Sequence, residues 1–196
     1  SNAFRSDEDD YYLRFEGQNG KDGTGSWTEC AAPAIAKTLT NMPLVIQRTA
    51  YNTNTKIATF TVKQFTYQDR RVGDDTTNPM PSFIQTSDGL PKSGSNTFTG
   101  RINKVLFFRN RLVFLSGENV ITSRPGTLGT PDFFNETALT VSASDPVDIS
   151  AASMFPSELF DGIEVNTGLV VFSTNQQFLL AADDTVFNPD TAKLRS

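Results

Sequence analysis

The chain has 196 residues and a formal net charge of −5, with one cysteine and no histidine. The acidic balance excludes the basic surface of a protein that grips nucleic-acid phosphates. The single thiol excludes an internal disulfide, and the lack of imidazole removes Ser-His-Asp and Cys-His catalysis, His-ligated zinc and the commonest general base.

Carboxylate-only chemistry survives these exclusions, as in glycoside hydrolysis, and so does oxygen-ligated calcium binding. Cys30 reads as a small packed residue, since no histidine stands by to activate it. No apolar run nears the roughly 20 residues of a membrane-spanning helix, so stable membrane insertion is not expected. Phe is abundant at 16 residues, and frequent Thr, Ser, Asn, Gly and Pro favour strands and turns over helices. Ser1-Asn2-Ala3 reads as a scar of tag removal and is set aside. The chain opens without an initiator Met, a signal peptide or a transit segment, and is expected to be a fragment of a longer protein.

In chain order, residues 11–16 (YYLRFE) alternate as a strand, and the Gly-rich GQNGKDGTGS that follows predicts a hairpin loop. Residues 27–31 (WTECA) form the returning strand, with Trp27 near Tyr12 across the pair and packed in the core. Residues 33–40 (PAIAKTLT) fit a short helix or a loop. Residues 44–65 predict a second hairpin about the turn YNTNT. In its second strand Ala58, Phe60, Val62 and Gln64 share one side, while Ile57, Thr59, Thr61 and Lys63 share the other.

Residues 68–97 are irregular, with prolines and glycines that forbid a helix or a central strand, and mark the best domain boundary. Beyond them come close-set strands: NKVLFF, RLVFLSG, NVITSR and TALTVSA, then GIEVN, GLVVFST and QQFLLAA. Short turns between them predict antiparallel meanders. Two units, 102–124 and 162–182, each show three strands with an almost wholly apolar middle one, LVFL or LVVF. Their offset of about 60 residues exceeds a usual propeller blade of 40–45, which insertions would explain. An unbroken apolar strand is covered on both faces, as in a stacked blade. The expected fold is therefore all-β: antiparallel meanders forming a partial, irregular β-propeller of two blade-like units, plus a small flanking β-domain. The expected division is 4–67 for the small hairpin domain, 68–97 for the linker or loop, and 98–196 for the propeller-like part. Uncovered blade faces and strand edges predict self-association.

Three stretches carry a family resemblance. They are RRVGDDTTNPMPSF at 70–83, FFRNRLVFLSGENVITSRPG with DFFN at 132–135, and Asp145-Pro146-Val147-Asp148 with GLVVFSTNQQFLL downstream. Their order and spacing resemble the tail tubular protein B family, the nozzle protein of short-tailed phages, over about residues 9–182. The resemblance implies a virion structural role in the phage tail, in a protein several times longer. It implies a homohexameric ring at the end of the tail tube, docked on the adaptor ring and carrying tail fibres. DNA is retained by the channel and then passes through it without tight binding, which an acidic wall suits. The resemblance brings no catalytic residue set and no cofactor. The competing readings are a carbohydrate-binding or carbohydrate-cleaving tail protein and a generic propeller interaction module.

Several residues invite closer attention. Residues 73–79 (GDDTTNP) could form a calcium loop, but lack the alternate ligands and distal Glu of an EF-hand. Asp and Asn capping a turn before Pro is the preferred reading, and no metal is expected. Arg70, Arg71, Arg109, Arg111 and Arg124 are the notable cations. The preferred reading puts Asn110 in a left-handed turn, with Arg109 and Arg111 holding loop carbonyls or carboxylates and Asp74-Asp75 a partner for them. The other reading is a subunit contact or a channel-facing pair. With Asp145 and Asp148 of the DPVD motif, these residues make up the candidate structural and interface set. Glu16 and Glu29 could face each other across the first hairpin as a hydrolytic carboxylate pair.

Overall fold

A computed structural model describes residues 11–20, 23–40, 42–84, 101–127, 129–151, 153, 156–182 and 186–196. The tag scar, the acidic opening at 4–10 and the second half of the irregular stretch, 85–97, lie outside the described residues. The described elements are strands, turns and one short 3-10 turn at Ser82–Ile84, with no α-helix among them.

Strands β1 (Tyr12–Gly17) and β2 (Gly25–Cys30) pair antiparallel, as their alternation predicts. The register sets Phe15 opposite Trp27 and Tyr12 opposite Cys30. Trp27 is therefore not beside Tyr12. Nor is it core: it is 66% exposed, edge-on to Phe15 with ring centroids 5.4 Å apart. Among the described residues no second layer covers that face of the two-stranded ribbon, which is why the expectation of packing failed. Residues 33–40 form no helix; Ala34 turns the chain at φ 63°, and backbone bonds from Ala32 N to Gly73 O and from Arg70 N to Lys37 O hold the segment as a loop.

Strands β3 (Leu44–Asn52) and β4 (Ile57–Gln64) form the second hairpin. Asn52 Oδ1 accepts from the amides of Asn54 and Thr55, closing the turn. The register shifts between Arg48 and Ala50, so Tyr51 lies opposite Ala58 while Ile46 lies opposite Val62.

The rest of the chain builds two four-stranded antiparallel sheets. The first is β5 (Ile102–Phe108), β6 (Arg111–Ser116), β7 (Asn119–Thr122) and β8 (Val147–Ser150), in that order. The second is β9 (Leu159–Val165), β10 (Gly168–Ser173), β11 (Gln177–Ala182) and β12 (Ala192–Arg195), also a simple meander. Each unit thus has four strands where the sequence showed three. The missed fourth strands, β8 and β12, are only 4 residues long, too short for an alternation to register. Residues 137–143 (TALTVSA), expected as a strand, are irregular instead, with bends at 138–140 and a turn beginning at 143. Asp145 accepts the amides of Glu136 and Ser142, and Thr137 Oγ1 accepts that of Leu139, so side chains take the place of a ladder.

The sheets pack face to face around one apolar core. Val113 and Leu115 of β6, Val120 of β7 and Val147 of β8 meet Leu169 and Val171 of β10 and Phe178 and Leu180 of β11. Gly168 sits where a Cβ would lie 2.2 Å from the Leu180 carbonyl oxygen, so the strands approach through a missing side chain. The alternate residues of β6 and β7, Leu112, Phe114 and Ile121, point the other way into a second core. Its other side is not a sheet. It is irregular chain: Leu39, Met42, Met80, Phe83, Phe133 and Phe134. Phe114 stacks on Phe133 at 5.2 Å, and Phe83 meets both rings edge-on at 5.5 Å. All six residues of β6 are buried, because each face has its own core. The neighbouring apolar run differs: β5 is an edge strand, with Leu106 and Phe108 turned inward and Phe107 62% exposed.

Candidate functional site

The candidate residues gather where the segment 70–82, the β5–β6 turn and the long β7–β8 connection meet. Arg70 is fully buried, and its guanidinium works as a hub. Nε donates to Ala36 O at 3.0 Å. Nη1 donates to Asp74 O, Asn78 O and Asp75 Oδ1 at 3.1, 3.0 and 2.8 Å, and Nη2 to Ala36 O. The ring of Phe134 lies 5.8 Å beneath the cation. The loop 74–78 closes on itself as well: Asp74 Oδ1 accepts the amides of Thr76 and Thr77 and the Thr77 hydroxyl. Burial pushes the Asp74 carboxyl up, but these bonds and one from Tyr12 outweigh it and hold the group below its ordinary range. The capped turn before Pro79 is thus present. Among the described residues no group of His, Cys, Asp or Glu is disposed to hold a metal ion.

Asp132 joins this hub to a second one. Its carboxylate, almost wholly buried, pairs with Arg71 Nη2 at 2.7 Å and Arg124 Nη1 at 3.6 Å, and accepts the Phe134 amide at 3.0 Å. Arg124 also reaches Glu136 at 2.8 Å and Ser144 Oγ at 3.0 Å. Beyond it lies Arg111, 2% exposed. Arg111 donates to four carbonyls: Ser123 and Asp145 through Nη1 at 3.0 and 2.7 Å, Ala143 and Phe187 through Nη2 at 3.1 and 3.2 Å. Burial lowers the Arg111 guanidinium to about 10, an effect the Asp145 charge opposes and that of Arg124 adds to. Asp145 itself is buried and spends both oxygens on backbone amides.

Arg109 and Asn110 form the β5–β6 turn, with φ of 47° and 60°. That pair of left-handed residues is the hairpin turn that matches strand twist, and Asn tolerates it best. Arg109 lies over Phe108 and Phe187 at 5.4 and 5.8 Å from the ring centroids. The acidic loop proposed as its partner is instead bound to Arg70. Asp148 stands apart, gripping Ser82 through its amide at 2.7 Å and its hydroxyl at 2.6 Å. So the structure brings together Arg70, Arg71, Asp74, Asp75, Arg111, Arg124 and Asp145. It leaves Arg109 and Asn110 on the turn, and Asp148 at β8.

Sequence reasoning missed Asn78 and Asp132. Asn78 is buried and bridges the segments: Nδ2 donates to Val72 O and Asn135 O, and Oδ1 accepts the Asn135 amide. Both residues lie in the quoted stretches GDDTTNP and DFFN, so the motif was visible but the pairing was not. The carboxylate pair Glu16 and Glu29 does not exist. Glu16 lies opposite Ser26, and Glu29 is engaged by the Thr137 hydroxyl and the Ala138 amide, both at 2.7 Å. A cleft of about 510 Å³ runs past Asn78, Met80, Ser82, Phe133 and Asp148. Its carboxylates are already satisfied by neighbouring amides and hydroxyls, so it presents no nucleophile and base in register. The arrangement can fasten chain segments together.

The segments it fastens are those that carry the sequence motifs. A model of the bacteriophage nozzle proteins matches residues 1–196. The chain is also 30% identical over 180 residues to tail tubular protein gp12 of Escherichia phage T7; the match covers 91% of this chain and 19% of that protein. The chain therefore spans about a fifth of the length of the relative it matches. With a family match along its whole length, and with the motif segments joined in space by Arg70, Asp132 and Arg111, the chain belongs to the bacteriophage nozzle protein family.

Proposed function

We propose that this chain is a structural part of a phage tail nozzle, residing in the virion and acting by assembly and not by catalysis. The observation that carries the reading is the convergence of the family's motif segments into a lattice of arginines and carboxylates whose members are spent on carbonyls, amides and each other. Such a lattice makes irregular chain rigid, as a load-bearing ring wall requires.

Finer parts of the reading follow. The two four-stranded meanders act as successive blades of an irregular propeller, a reading supported by their identical strand order and their face-to-face core. The family relation supports a homohexamer in the full-length protein, set against an adaptor ring and tail fibres, with DNA passing through. The net charge of −5 suits a wall that lets DNA slide, because it offers few cations to phosphates. The division into 4–67, 68–97 and 98–196 is retained as a proposal about folding units, and limited proteolysis followed by mass spectrometry of the resistant pieces tests it.

The main reading is tested on virions. Antibody raised against this chain and visualised with gold is expected at the distal end of the tail, and peptides of the chain in digests of purified particles. Particles free of the peptides, or gold on the capsid alone, would overturn it.

A further inference from the structure

The arginine lattice contains one arrangement twice. Arg70 Nη1 donates to Asn78 O at 3.0 Å, and Asn78 precedes Pro79. Arg111 Nη1 donates to Asp145 O at 2.7 Å, and Asp145 precedes Pro146. Each guanidinium also lies over a buried phenylalanine, Arg70 over Phe134 at 5.8 Å and Arg111 over Phe187 at 5.5 Å from the ring centroid. An asparagine follows each phenylalanine, Asn135 in one case and Asn188 in the other. The two rings hold equivalent places in the fold. Phe134 lies on the connection from β7 to β8 and Phe187 on that from β11 to β12, the link between third and fourth strands of each meander.

Backbone chemistry explains the parts. Proline brings no amide and holds the residue before it extended, so a helical or ladder bond is hard to continue there. A buried carbonyl at such a place needs a donor from elsewhere. A guanidinium offers several donors in a rigid plane and stacks on an aromatic face at the same time, which a lysine ammonium cannot do. The residue ahead of each proline also uses its side chain: Asn78 Oδ1 accepts the Asn135 amide at 2.8 Å, and Asp145 Oδ1 the Glu136 amide at 3.0 Å. The two copies sit at successive junctions. Arg70 comes from irregular chain and meets Phe134 of the first sheet's unit, in the second core. Arg111 opens β6 of that sheet and meets Phe187 of the second sheet's unit, in the first core. Strand β10 opens on Gly168 where β6 opens on Arg111, so that position of the second sheet carries no third copy.

We propose that Arg70 and Arg111 are two copies of one junction staple. In each copy an arginine of one unit takes the carbonyl ahead of its own unit's proline and clamps the phenylalanine of a Phe-Asn pair from the next unit. The inference rests on the reading of the two meanders as successive units. It deepens that reading by giving each junction its own fastener. The irregular chain around Arg70 is thereby joined to the first sheet as the first sheet is joined to the second.

The test uses the whole chain and compares matched with crossed pairs of substitutions in urea melts. Lysine keeps the charge and removes the planar fork, and leucine keeps an apolar side chain and removes the ring. The matched pairs are Arg70→Lys with Phe134→Leu and Arg111→Lys with Phe187→Leu. Each is expected to depart from the product of its single effects on the unfolding constant by about threefold or more. The crossed pairs, Arg70→Lys with Phe187→Leu and Arg111→Lys with Phe134→Leu, are expected to multiply within about twofold. Hydrogen exchange on the single phenylalanine variants decides the matter should an arginine variant not fold. Phe134→Leu is expected to quicken exchange at Met80–Ile84 more than at Phe187–Ala192, and Phe187→Leu to do the reverse. Crossed pairs that couple as strongly as matched ones overturn the proposal. So do matched pairs that simply multiply, and exchange that quickens equally at both segments in both variants. Gold labelling of virions and limited proteolysis read the tail and the folding units by other means, so the staple can fail while those readings stand.

Discussion

Strand β6 and hairpin β3–β4 are both apolar strand sequences, and they meet opposite fates. Every residue of β6 is buried, between a sheet on one side and a cluster of Phe and Met from irregular chain on the other. Strand β3 has 9 residues, of which Val45 alone is half-buried and the others are exposed. The contrast teaches that apolar character licenses burial, while the layers brought up by distant segments deliver it. For β6 those layers come from residues far apart in the chain, such as Phe83, Phe133 and Val171. For β3–β4 no such layer is present among the described residues.

Four perturbations sharpen that comparison, in descending order of effect. Arg111→Ala should be the most damaging, because it strands the carbonyls of Ser123, Ala143, Asp145 and Phe187 in a dry site. A loss of several kcal/mol is expected in urea melts, since each buried acceptor left unsatisfied costs roughly 1–3 kcal/mol. A melt within error of wild type would remove Arg111 from its place as a fastener. Next come two phenylalanines set side by side. Phe114→Ala should cost about 3–5 kcal/mol by opening a cavity in the second core, whereas Phe60→Ala should stay within about 0.5 kcal/mol. Equal losses would erase the distinction between the regions.

Gly168→Ala should cost about 1–3 kcal/mol, because the new Cβ must push β10 from the Leu180 carbonyl. Thermal melting of the variant checks it, and no change would mean that the two strands have slack. The smallest effect concerns acid. Asp74 titrates below its ordinary 3.8 in the folded chain, so its contribution is complete above about pH 4 and is lost as pH falls through the lower value. Amide exchange at Thr76 and Thr77 should quicken there, and Asp74→Asn should remove that acid limb. Exchange that ignores pH across this range would place those amides' protection elsewhere.

Much of the architecture could be read along the chain. The alternation of residues 57–64 assigns both faces of β4 correctly, and the doubly apolar LVFL foretells that β6 is covered twice. Asn110 between two arginines marks a left-handed turn for a local reason, since Asn tolerates that backbone. Failures came where meaning is not local. Trp27 has the composition of a core residue and is exposed, because among the described residues nothing roofs its ribbon. Residues 137–143 have the composition of a strand, but Asp145 and Thr137 take their amides first. The arginines were visible as a set, yet nothing in their spacing names Ala36 or Phe187 as acceptors.

Composition, alternation and motif order were enough for the all-β class, the meanders, the turn at Asn110 and the family. Those properties depend on each residue's own backbone preference and its near neighbours. Which apolar faces are covered, which carboxylate meets which arginine, and that aromatic loops rather than a sheet close the second core depended on the folded chain. Partners 34 to 76 residues apart, as between Arg111 and Asp145 or Phe187, are joined by packing that no local pattern encodes.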